Sequence, residues 1–471
     1  MQITMPRHAC QAGLLALLIC YGASAQTPAV SASPLAAVGE IDVGGIDVGD
    51  IDILAYTATI EPRVAEGEVV GEERIRFVAR RDGVRQVRFD RGALEIGAVT
   101  DAHGARLTFD TPPRTLSVIL PRPLRDGEPY ELRLDYRGRP THGLQFDPAR
   151  RESYTIFSTS QWLVCVDAPH ERATLDLTLI VPAGSVSAAN GRHSASRSLG
   201  DGREAHRWRL TRDTPSFLYG FAIGPYREWR DARLRPQLRA LSIDRTPEEL
   251  SAIFAETRGM IAFFQVRAGI AYPGRTYTQV LVSKTAGQEA AGLAFLSEEE
   301  GEAVLTTPDR IGLIAHEIAH QWWGDLLTCR DWGHFWLNEG FATFMAAAYR
   351  EHRDGRAHYD AQVARWRDRV ERLRADGRDR PLVYPEWNRP TADDRAVVYQ
   401  KGAYVLHLLR ETLGEDAFWA GVRDYTRAHA GSSVATVDLQ RAMERASGQD
   451  LQAFFDAHAG PAAGSSLPAP E

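Results

Sequence analysis

Alternating hydrophobic and polar positions dominate the first half of the chain, from Ala55 to about Trp229. The period of two is clearest in the runs 74–78, 131–136 and 175–181, and Gly and Pro residues separate such runs. Alternation of this kind is typical of strands that bury one face. The pattern predicts an N-terminal all-β domain, saddle-like or sandwich-like, without a long helix inside it.

Hydrophobic residues in the second half recur instead with a helical period. Thr246 can cap a helix that has Pro247 in its first turn and that runs towards Phe264. A strand is predicted at 277–282, and helical segments dominate from there to about His458. The second half is therefore predicted to be a mainly α domain of the α+β class.

The N-terminus has the pattern of a secretory signal peptide. Arg7 and His8 precede an apolar run at 12–19, and an Ala-Ser-Ala cleavage site stands at 23–25. The apolar run is too short for a membrane span, which needs about 20 residues. We expect an exported protein, periplasmic or extracellular, whose mature chain has no transmembrane segment. A buried N-terminal helix is the alternative.

The composition fits folded domains, since hydrophobic residues make up 44% and charged residues 25%. The net charge of −7 and the lack of a stripe rich in Lys and Arg argue against a nucleic-acid partner. Cys165 and Cys329 remain after removal of the signal, and they form either one disulfide or two separate buried thiols. The predicted segments are a signal peptide at 1–25, a linker at 26–52, the β domain at 53–235, the helical domain at 236–458 and a disordered tail at 459–471.

A candidate metal site stands in the helical half, in the sequence His-Glu-Ile-Ala-His at 316–320. Thr307 can cap a helix around it, Pro308 fits the first position of that helix, and Gly324 can end it. His316 and His320 are four residues apart and project from one helical face, about 5–6 Å apart at Cβ. Two imidazoles at that spacing can meet one Zn²⁺. Two unrelated histidines of the core are the alternative.

A catalytic zinc needs a third protein ligand and one open coordination position. Glu339 is the candidate, because it lies in an apolar segment where an unpaired carboxylate would be expensive. Eighteen residues separate it from His320. Glu317 projects about 100° round the helix from His316, so it can approach the attacking water without binding the metal. Glu317 is therefore the candidate general base.

These residues resemble the gluzincin peptidases of the aminopeptidase N family, in which His-Glu-x-x-His is followed after eighteen residues by Glu in an Asn-Glu-Gly-Phe-Ala run. The run at 321–328, Gln-Trp-Trp-Gly-Asp-Leu-Leu-Thr, is also similar to that family. The likeness spans residues 50 to about 458. It implies a thermolysin-like catalytic domain after the β domain, one Zn²⁺ per chain, and a short form without the C-terminal helical domain of many relatives.

The resemblance also implies two further site residues. Tyr399 begins a Tyr-Gln-Lys-Gly-Ala segment that is similar to the family's Tyr-x-Lys-Gly-Ala, whose tyrosine donates to the oxyanion. A core tyrosine with a satisfied hydroxyl is the alternative. Glu289 aligns with the glutamate of the family's Gly-x-Met-Glu-Asn loop, which binds the substrate's α-amine. Ala286, Gln288 and Ala290 depart from that motif, so a loop glutamate without a function is the alternative for Glu289.

Gln161 precedes a faint match to the family's Pro-Cys-x-Asp-x-Pro run, and the resemblance would place it near the first residue of the substrate. The spacing is shorter than in the family, which favours a structural role as a polar residue at a strand end. The resemblance as a whole implies an aminopeptidase that hydrolyses the N-terminal bond of peptides with metal-activated water. The altered loop leaves open a zinc peptidase of relaxed or endo specificity. An inactive binding homologue is the third alternative, although the retained ligands and base argue against it. The oligomeric state is left open.

Overall fold

The computed structural model describes residues 49–285, 287–384 and 390–460. The predicted signal peptide, most of the predicted linker and nearly all of the predicted tail lie outside these ranges. Within them, the buried hydrophobic residues form one core in the N-terminal β region and a second in the helical region that follows. This arrangement confirms the predicted order of a β-rich domain and a mainly helical one.

The β domain is built from strands that follow one another through short turns. Its strands are β1 Ile51–Arg63, β2 Glu68–Ala79, β3 Val84–Asp90, β4 Glu95–Asp101, β5 Thr108–Asp110, β6 Thr115–Leu124, β7 Pro129–Gly138, β8 Leu144–Asp147, β9 Glu152–Thr155, β10 Arg172–Pro182, β11 Val186–Ala189, β12 Arg192–Ser198, β13 Arg203–Pro215 and β14 Phe221–Gly224. They form a seven-stranded sheet in the order β12-β13-β10-β1-β2-β7-β4, a four-stranded sheet β11-β14-β9-β8 and a three-stranded sheet β3-β6-β5.

The alternating sequence pattern explains these sheets. In β2, the side chains of Val69, Ile75 and Phe77 are buried, whereas the intervening Arg74 and Arg76 are exposed. A strand turns successive side chains to opposite faces, so one face of the sheet packs on the core while the other stays polar. The predicted strands at 74–78, 131–136 and 175–181 lie within β2, β7 and β10.

The helical domain starts with a small sheet and continues mainly as helices. Its strands are β15 Arg227–Asp231, β16 Gln237–Ser242, β17 Thr276–Val282, β18 Gly287–Ala290, β19 Leu293–Ser297, β20 Thr328–Cys329 and β21 Ser433–Val434. Its helices are α1 Pro247–Ile253, α2 Thr257–Ala268, α3 Glu298–Thr306, α4 Gly312–Ala319, α5 Trp336–Asp354, α6 Arg356–Ala375, α7 Ala392–Ala396, α8 Gly402–Leu413, α9 Glu415–Ala428, α10 Thr436–Ser447 and α11 Gln452–His458. A π-turn at Val397–Lys401 joins α7 to α8.

A five-stranded sheet with the order β15-β16-β17-β19-β18 links the two domains. Tyr154 and Ala222 of the β domain share a hydrophobic cluster with Val280, Leu293 and Phe295 of this sheet. Strand β18 lies at the sheet's edge and pairs antiparallel with β19. The edge strand is therefore placed next to the β domain. The predicted division at residue 236 stays a prediction, and β15 and β16 lie on either side of it and pair with each other.

The helix predicted from Pro247 towards Phe264 is divided in two, so that prediction was wrong in its length. Thr246 caps α1 as predicted, because its hydroxyl accepts from the backbone N–H of Glu249. The chain then breaks after Ile253 and restarts at Thr257. The break has a packing reason, since α1 lies against β15, β16 and α3, whereas α2 lies against α4, α5 and α9.

The limits predicted for the helix of the metal site were also wrong. Thr307 ends the preceding helix α3, because its backbone N–H donates to the carbonyl of Ala303. Ser297 caps α3 and three glutamates fill its first turn, so this segment forms a helix of its own. Helix α4 starts only at Gly312 and ends at Ala319, before the predicted stop at Gly324.

Cys165 and Cys329 are both buried and not bonded to each other. Cys165 belongs to the core of the β domain and Cys329 to the core of the helical domain. Of the two arrangements left open by the sequence, the structure has two separate thiols. No helix in the described part of the chain is long and apolar enough to cross a membrane.

Candidate metal centre and catalytic site

Two helices bring three possible metal ligands together. His316 lies on α4, His320 directly follows that helix, and Glu339 lies in the first turn of α5. The two histidine Nε2 atoms are 3.0 Å apart, and Glu339 Oε2 lies 3.1 Å from one and 3.4 Å from the other. Ligands of a tetrahedral Zn²⁺ at about 2.0–2.1 Å lie about 3.3–3.4 Å from one another. The three atoms therefore outline one face of the tetrahedron that zinc prefers.

Hydrogen bonds at the far side of each imidazole keep the Nε2 lone pairs directed at this point. His320 Nδ1 lies 3.1 Å from the carbonyl oxygen of Trp323, which can only accept, so Nδ1 carries the proton. His316 Nδ1 lies 3.4 Å from the hydroxyl of Thr343. Partners of this kind fix the tautomer and the ring orientation of metal-binding histidines. The residues present therefore fit a zinc ion.

The pKa shifts of His316 and Glu339 agree with this assignment. Burial alone would lower the pKa of His320, but the carboxylates of Glu339 and Glu289 raise it well above its ordinary value. Burial lowers the pKa of His316, which favours the neutral imidazole that binds metals. Burial alone would raise the pKa of Glu339, but the adjacent His320 and the hydrogen bonds from both histidines lower it below its ordinary value. Glu339 is therefore a carboxylate, the form in which it can be a ligand.

Glu317 lies on α4 between the two histidines and is buried. Desolvation raises the pKa of its carboxyl well above the ordinary value, and the carboxylates of Glu289 and Glu339 add to that rise. Its Oε2 has no hydrogen-bond partner within the described chain. A Cβ placed on Gly287 would lie 2.2 Å from Glu317 Oε1, so only glycine leaves room for the carboxylate there. This arrangement provides a basic group that is free to accept a proton beside the metal ligands.

The ring of Tyr399 stacks on the imidazole of His316, with the ring centroids 5.8 Å apart and an interplanar angle of 11°. Its hydroxyl is hydrogen-bonded to Glu339. Burial, with the nearby carboxylates, raises the pKa of the phenol well above its usual value. The residue occupies the π-turn at Val397–Lys401, and such turns are frequent at functional sites. A protonated hydroxyl is thus held at the edge of the ligand group.

Two glycines set the distance between the helices that carry Glu339 and Tyr399. A Cβ on Gly340 would lie 3.0 Å from backbone atoms of Gly402 and 3.2 Å from the carbonyl oxygen of Val398. A Cβ on Gly402 would likewise lie 3.0 Å from Gly340 Cα. The backbones of α5 and α8 therefore touch at this crossing, which explains why each motif has a glycine directly or shortly after its functional residue.

Glu289 lies on β18 and is buried. Its carboxylate belongs to a group with Glu317 and His320 whose ligand atoms all lie within 4.8 Å of one another. Burial raises the pKa of the carboxyl, and its Oε1 has no hydrogen-bond partner among the residues described. The structure thus brings the predicted amine-binding residue to the predicted base and ligands.

The turn after Glu289 is held by two side chains that sequence reasoning missed. Gln321, next to His320, accepts from the N–H of Gly292 at 2.8 Å and donates to the carbonyl of Ala290 at 3.1 Å. Asn190 of the β domain donates to the carbonyl of Ala291 at 2.9 Å. Gln321 stands within the 321–328 run that resembles the family, which was a usable signal. Asn190 carries no comparable signal in the sequence.

Gln161 stays only a predicted neighbour of the substrate. It is buried in the β domain, in a short 3₁₀ turn at Thr159–Gln161. Cβ atoms placed on Gly92 and Gly143 would meet its side chain at 2.3 Å and 2.9 Å. Both of these neighbours belong to turns of the β domain. His334, at the turn before α5, is buried beside Thr436 with its Nδ1 3.0 Å from that hydroxyl.

The fold and this site together define a metallopeptidase, with a β domain followed by a helical domain that holds two histidines and a glutamate round one point. Two family models match the chain. The Peptidase family M1 domain matches residues 254–458, and the Peptidase M1 N-terminal domain matches residues 54–218. The chain belongs to peptidase family M1.

Curated relatives include aminopeptidases. Aminopeptidase 2 of Candida albicans is 26% identical over 436 residues, which are 86% of this chain and 46% of the relative. Aminopeptidase N of Streptomyces lividans is 28% identical over 315 residues, which are 62% of this chain and 35% of the relative. The chain spans about half, or less, of the length of these curated relatives.

Solved structures match over almost their whole length. An M1 zinc metallopeptidase from Deinococcus radiodurans superposes with a TM-score of 0.76 at 25% identity, covering 89% of this chain and 96% of that one. A two-domain M1 zinc metallopeptidase bound to L-tryptophan gives a TM-score of 0.74 at 25% identity, covering 90% and 98%. Zinc is thus the metal of the family's solved members, in agreement with the ligand geometry of His316, His320 and Glu339.

The crossing of α5 and α8 can be tested with Gly340→Ala. The added methyl group has no room, so the helices must separate and move Tyr399 away from Glu339. We expect a loss of stability of about 1–3 kcal/mol, together with a lower kcat, measured by thermal unfolding and by peptidase assay.

Gly312→Ala is the matched control, because it adds the same methyl group to a helix where nothing lies within 4 Å. This control should leave Tm and kcat unchanged or raise Tm slightly, since alanine favours helix over glycine. If Gly340→Ala behaves like the control, close contact of the two backbones is not required.

Proposed function

We propose that this chain is a zinc-dependent aminopeptidase that hydrolyses the N-terminal peptide bond of peptides. The observation that carries the proposal is the position of Glu289, a buried carboxylate beside the base Glu317 and the ligand His320. A peptide's N-terminal ammonium needs such an acceptor, and an acceptor close to the base places the first peptide bond at the reacting centre. The Deinococcus radiodurans enzyme has been solved as a variant bound to a Tyr-Ser-Ala substrate, a peptide of the kind expected here.

In this proposal His316, His320 and Glu339 hold the metal. When bound, Zn²⁺ supplies Lewis acidity to the scissile carbonyl and to the attacking water. The three protein ligands leave a coordination position for the reaction, as catalytic zinc sites do. The aromatic core round α4 and α5, with Trp322, Trp323 and Trp336 fully buried, supports a rigid ligand geometry.

Glu317 takes the proton from the attacking water and later delivers it to the leaving amine. Its environment suits both steps, because desolvation raises the pKa of its carboxyl above the ordinary value and so makes the carboxylate a stronger base. Gly287 keeps the space in front of Glu317 Oε1 clear. A general base of this kind contributes about 10²–10⁴-fold to the rate.

Tyr399 donates a hydrogen bond to the oxyanion that forms at the scissile carbonyl. The phenol stays protonated at neutral pH because its pKa is raised by burial and by the surrounding carboxylates. In the present structure its hydroxyl is hydrogen-bonded to the metal ligand Glu339, which places the donor beside the ligand group. Stacking on His316 holds the Tyr399 ring in place.

We also propose that the protein is exported to the periplasm or the extracellular space. Support comes from the basic residues Arg7 and His8, the apolar run at 12–19 and the Ala-Ser-Ala site at 23–25. We expect the exported protein to begin at Gln26, which N-terminal sequencing of the secreted or periplasmic fraction measures. A chain that starts at Met1 in that fraction would contradict cleavage at this site.

The aminopeptidase assignment is tested with aminoacyl fluorogenic substrates, each with a free and with an acetylated α-amine. We expect the free amines to be cleaved and the acetylated forms to react at least about a hundredfold more slowly, because Glu289 would then stay buried without a partner. A chelator should abolish both activities and Zn²⁺ should restore them. Equal cleavage of both forms would favour the peptidase of relaxed or endo specificity.

Two substitutions separate the catalytic roles. Glu317→Gln should bind one Zn²⁺ per chain, measured by elemental analysis, and lose turnover, because the amide cannot accept the water's proton. Tyr399→Phe should lower kcat by about 10²–10³, the effect of removing one oxyanion donor. Turnover by Glu317→Gln, or an unchanged kcat for Tyr399→Phe, would remove the residue concerned from the mechanism.

A further inference from the structure

Gln288 precedes Glu289 on the edge strand β18 and is buried. Its side chain bends back onto its neighbour, and Nε2 donates to the Glu289 backbone carbonyl at 2.7 Å and to the Glu289 carboxylate oxygen Oε2 at 3.1 Å. The second of these bonds joins the side-chain amide to the carboxyl group itself. Gln288 thus holds one oxygen of the carboxylate that lies next to the metal ligands.

The other oxygen of that carboxylate is free for a ligand. Glu289 Oε1 is buried and has no hydrogen-bond partner in the described parts of the chain. A buried acceptor without a partner is costly, so native sites that contain one commonly complete it with a bound group. The hydrogen bond from the Gln288 amide therefore holds Oε2 of the carboxylate, while Oε1 remains available to a ligand.

The backbone that follows this carboxylate is already fixed. Gln321 bonds to Ala290 and Gly292, and Asn190 bonds to Ala291. The conformational freedom that remains is that of the Glu289 side-chain torsions. Ordering a glutamate side chain costs substantial rotamer entropy. Gln288 is placed to restrict those torsions.

We propose that Gln288 is a positioning residue that holds the Glu289 carboxylate ready for the substrate's N-terminal ammonium, an inference that rests on the proposed aminopeptidase function. Gln288 Nε2 fixes Oε2, and the ammonium binds at Oε1. This position is one of those at which the chain departs from the Gly-x-Met-Glu-Asn loop of the family it resembles, where methionine cannot donate. Amine selectivity in this chain is therefore supported by a donor of its own.

The role predicts a separation of the two kinetic constants. The ammonium contact exists both in the bound substrate and in the transition state, so weakening it raises KM and changes kcat little. Residues that support the metal or the general base would instead lower kcat. A KM effect without a kcat effect thus distinguishes a residue that positions the amine-binding carboxylate from one with a general structural role.

The test is Gln288→Met, which keeps the length of the side chain and removes the amide. With an aminoacyl fluorogenic substrate, we expect KM to rise about tenfold, a change of about 1.4 kcal/mol, while kcat stays within about threefold and zinc content is unchanged. The preference for free over acetylated substrates should fall by a similar factor. In the Glu317→Gln background, calorimetry with the tripeptide Tyr-Ser-Ala should show a Kd about tenfold higher when Gln288→Met is added.

Gln440→Met is the matched control. Gln440 is also a buried glutamine whose amide donates to a carboxylate, that of Glu444 on α10. Its substitution should leave KM, kcat and Kd unchanged, whatever its effect on Tm. Gln288→Asn, which keeps an amide but is one methylene too short to reach Glu289 Oε2, should resemble Gln288→Met.

Unchanged KM and Kd in Gln288→Met would overturn the inference, and so would a fall in kcat without a rise in KM. These outcomes differ from a failure of the proposed function. If the unsubstituted enzyme cleaves free and acetylated substrates equally, the aminopeptidase assignment fails before Gln288 is tested. If it prefers free amines and Gln288→Met keeps that preference, only the role of Gln288 fails.

Discussion

Two imidazole nitrogens and a carboxylate oxygen face one another at 3.0–3.4 Å, and hydrogen bonds on the far side of the rings keep their lone pairs turned inward. Without a proton or a metal cation between them, lone pairs at such distances repel. The protein interior has a low effective dielectric constant, which strengthens both the repulsion and the attraction to a cation. The packing of α4 against α5 therefore places three ligand atoms where one divalent cation can bind all of them.

The same site contains more negative charge than its ligands alone. Glu289 and Glu317 lie beside Glu339, and Asp325 is buried behind them with neither oxygen hydrogen-bonded within the described residues. Burial raises the pKa of Asp325 to about 7, while Arg172 of the β domain lowers it. Such a concentration of carboxyl groups is compatible with a folded core only when protons or cations balance their charge. A divalent metal and the ammonium of a substrate supply that balance from outside the chain.

The metal end of the site could be predicted from the sequence because its geometry is local. The spacing of His316 and His320 follows from one helical turn, and Glu339 follows within a short segment of chain. The helix limits could not be predicted from the sequence. Ser297 and the glutamates after it begin a separate helix, α3, and Thr307 ends that helix instead of capping α4. Residue types and spacing define a ligand set more reliably than they define where a helix begins.

Contacts between distant segments account for what the sequence could not predict. The crossing of Gly340 with Gly402 joins two sequence motifs about sixty residues apart. The residue types in the two motifs do not indicate that the helix backbones touch at these glycines. Gln321 bonds to a turn about thirty residues before it, and Asn190 bonds to that turn from another domain. The role of Gln161 stays a prediction from a faint local match, and its side chain lies against turns of the β domain.

The two ends of the site therefore have different structural origins. The ligands and the base come from helices of one domain, whereas the turn that carries the amine-binding carboxylate is held between Gln321 of that domain and Asn190 of the other. Positions 288 and 290 lie on the edge strand β18, whereas His316, His320 and Glu339 lie on, or directly after, the helices α4 and α5. An intact metal centre can for this reason coexist with a loop that has departed from its family's motif. Selectivity for the substrate's amine is then free to vary while hydrolysis is retained.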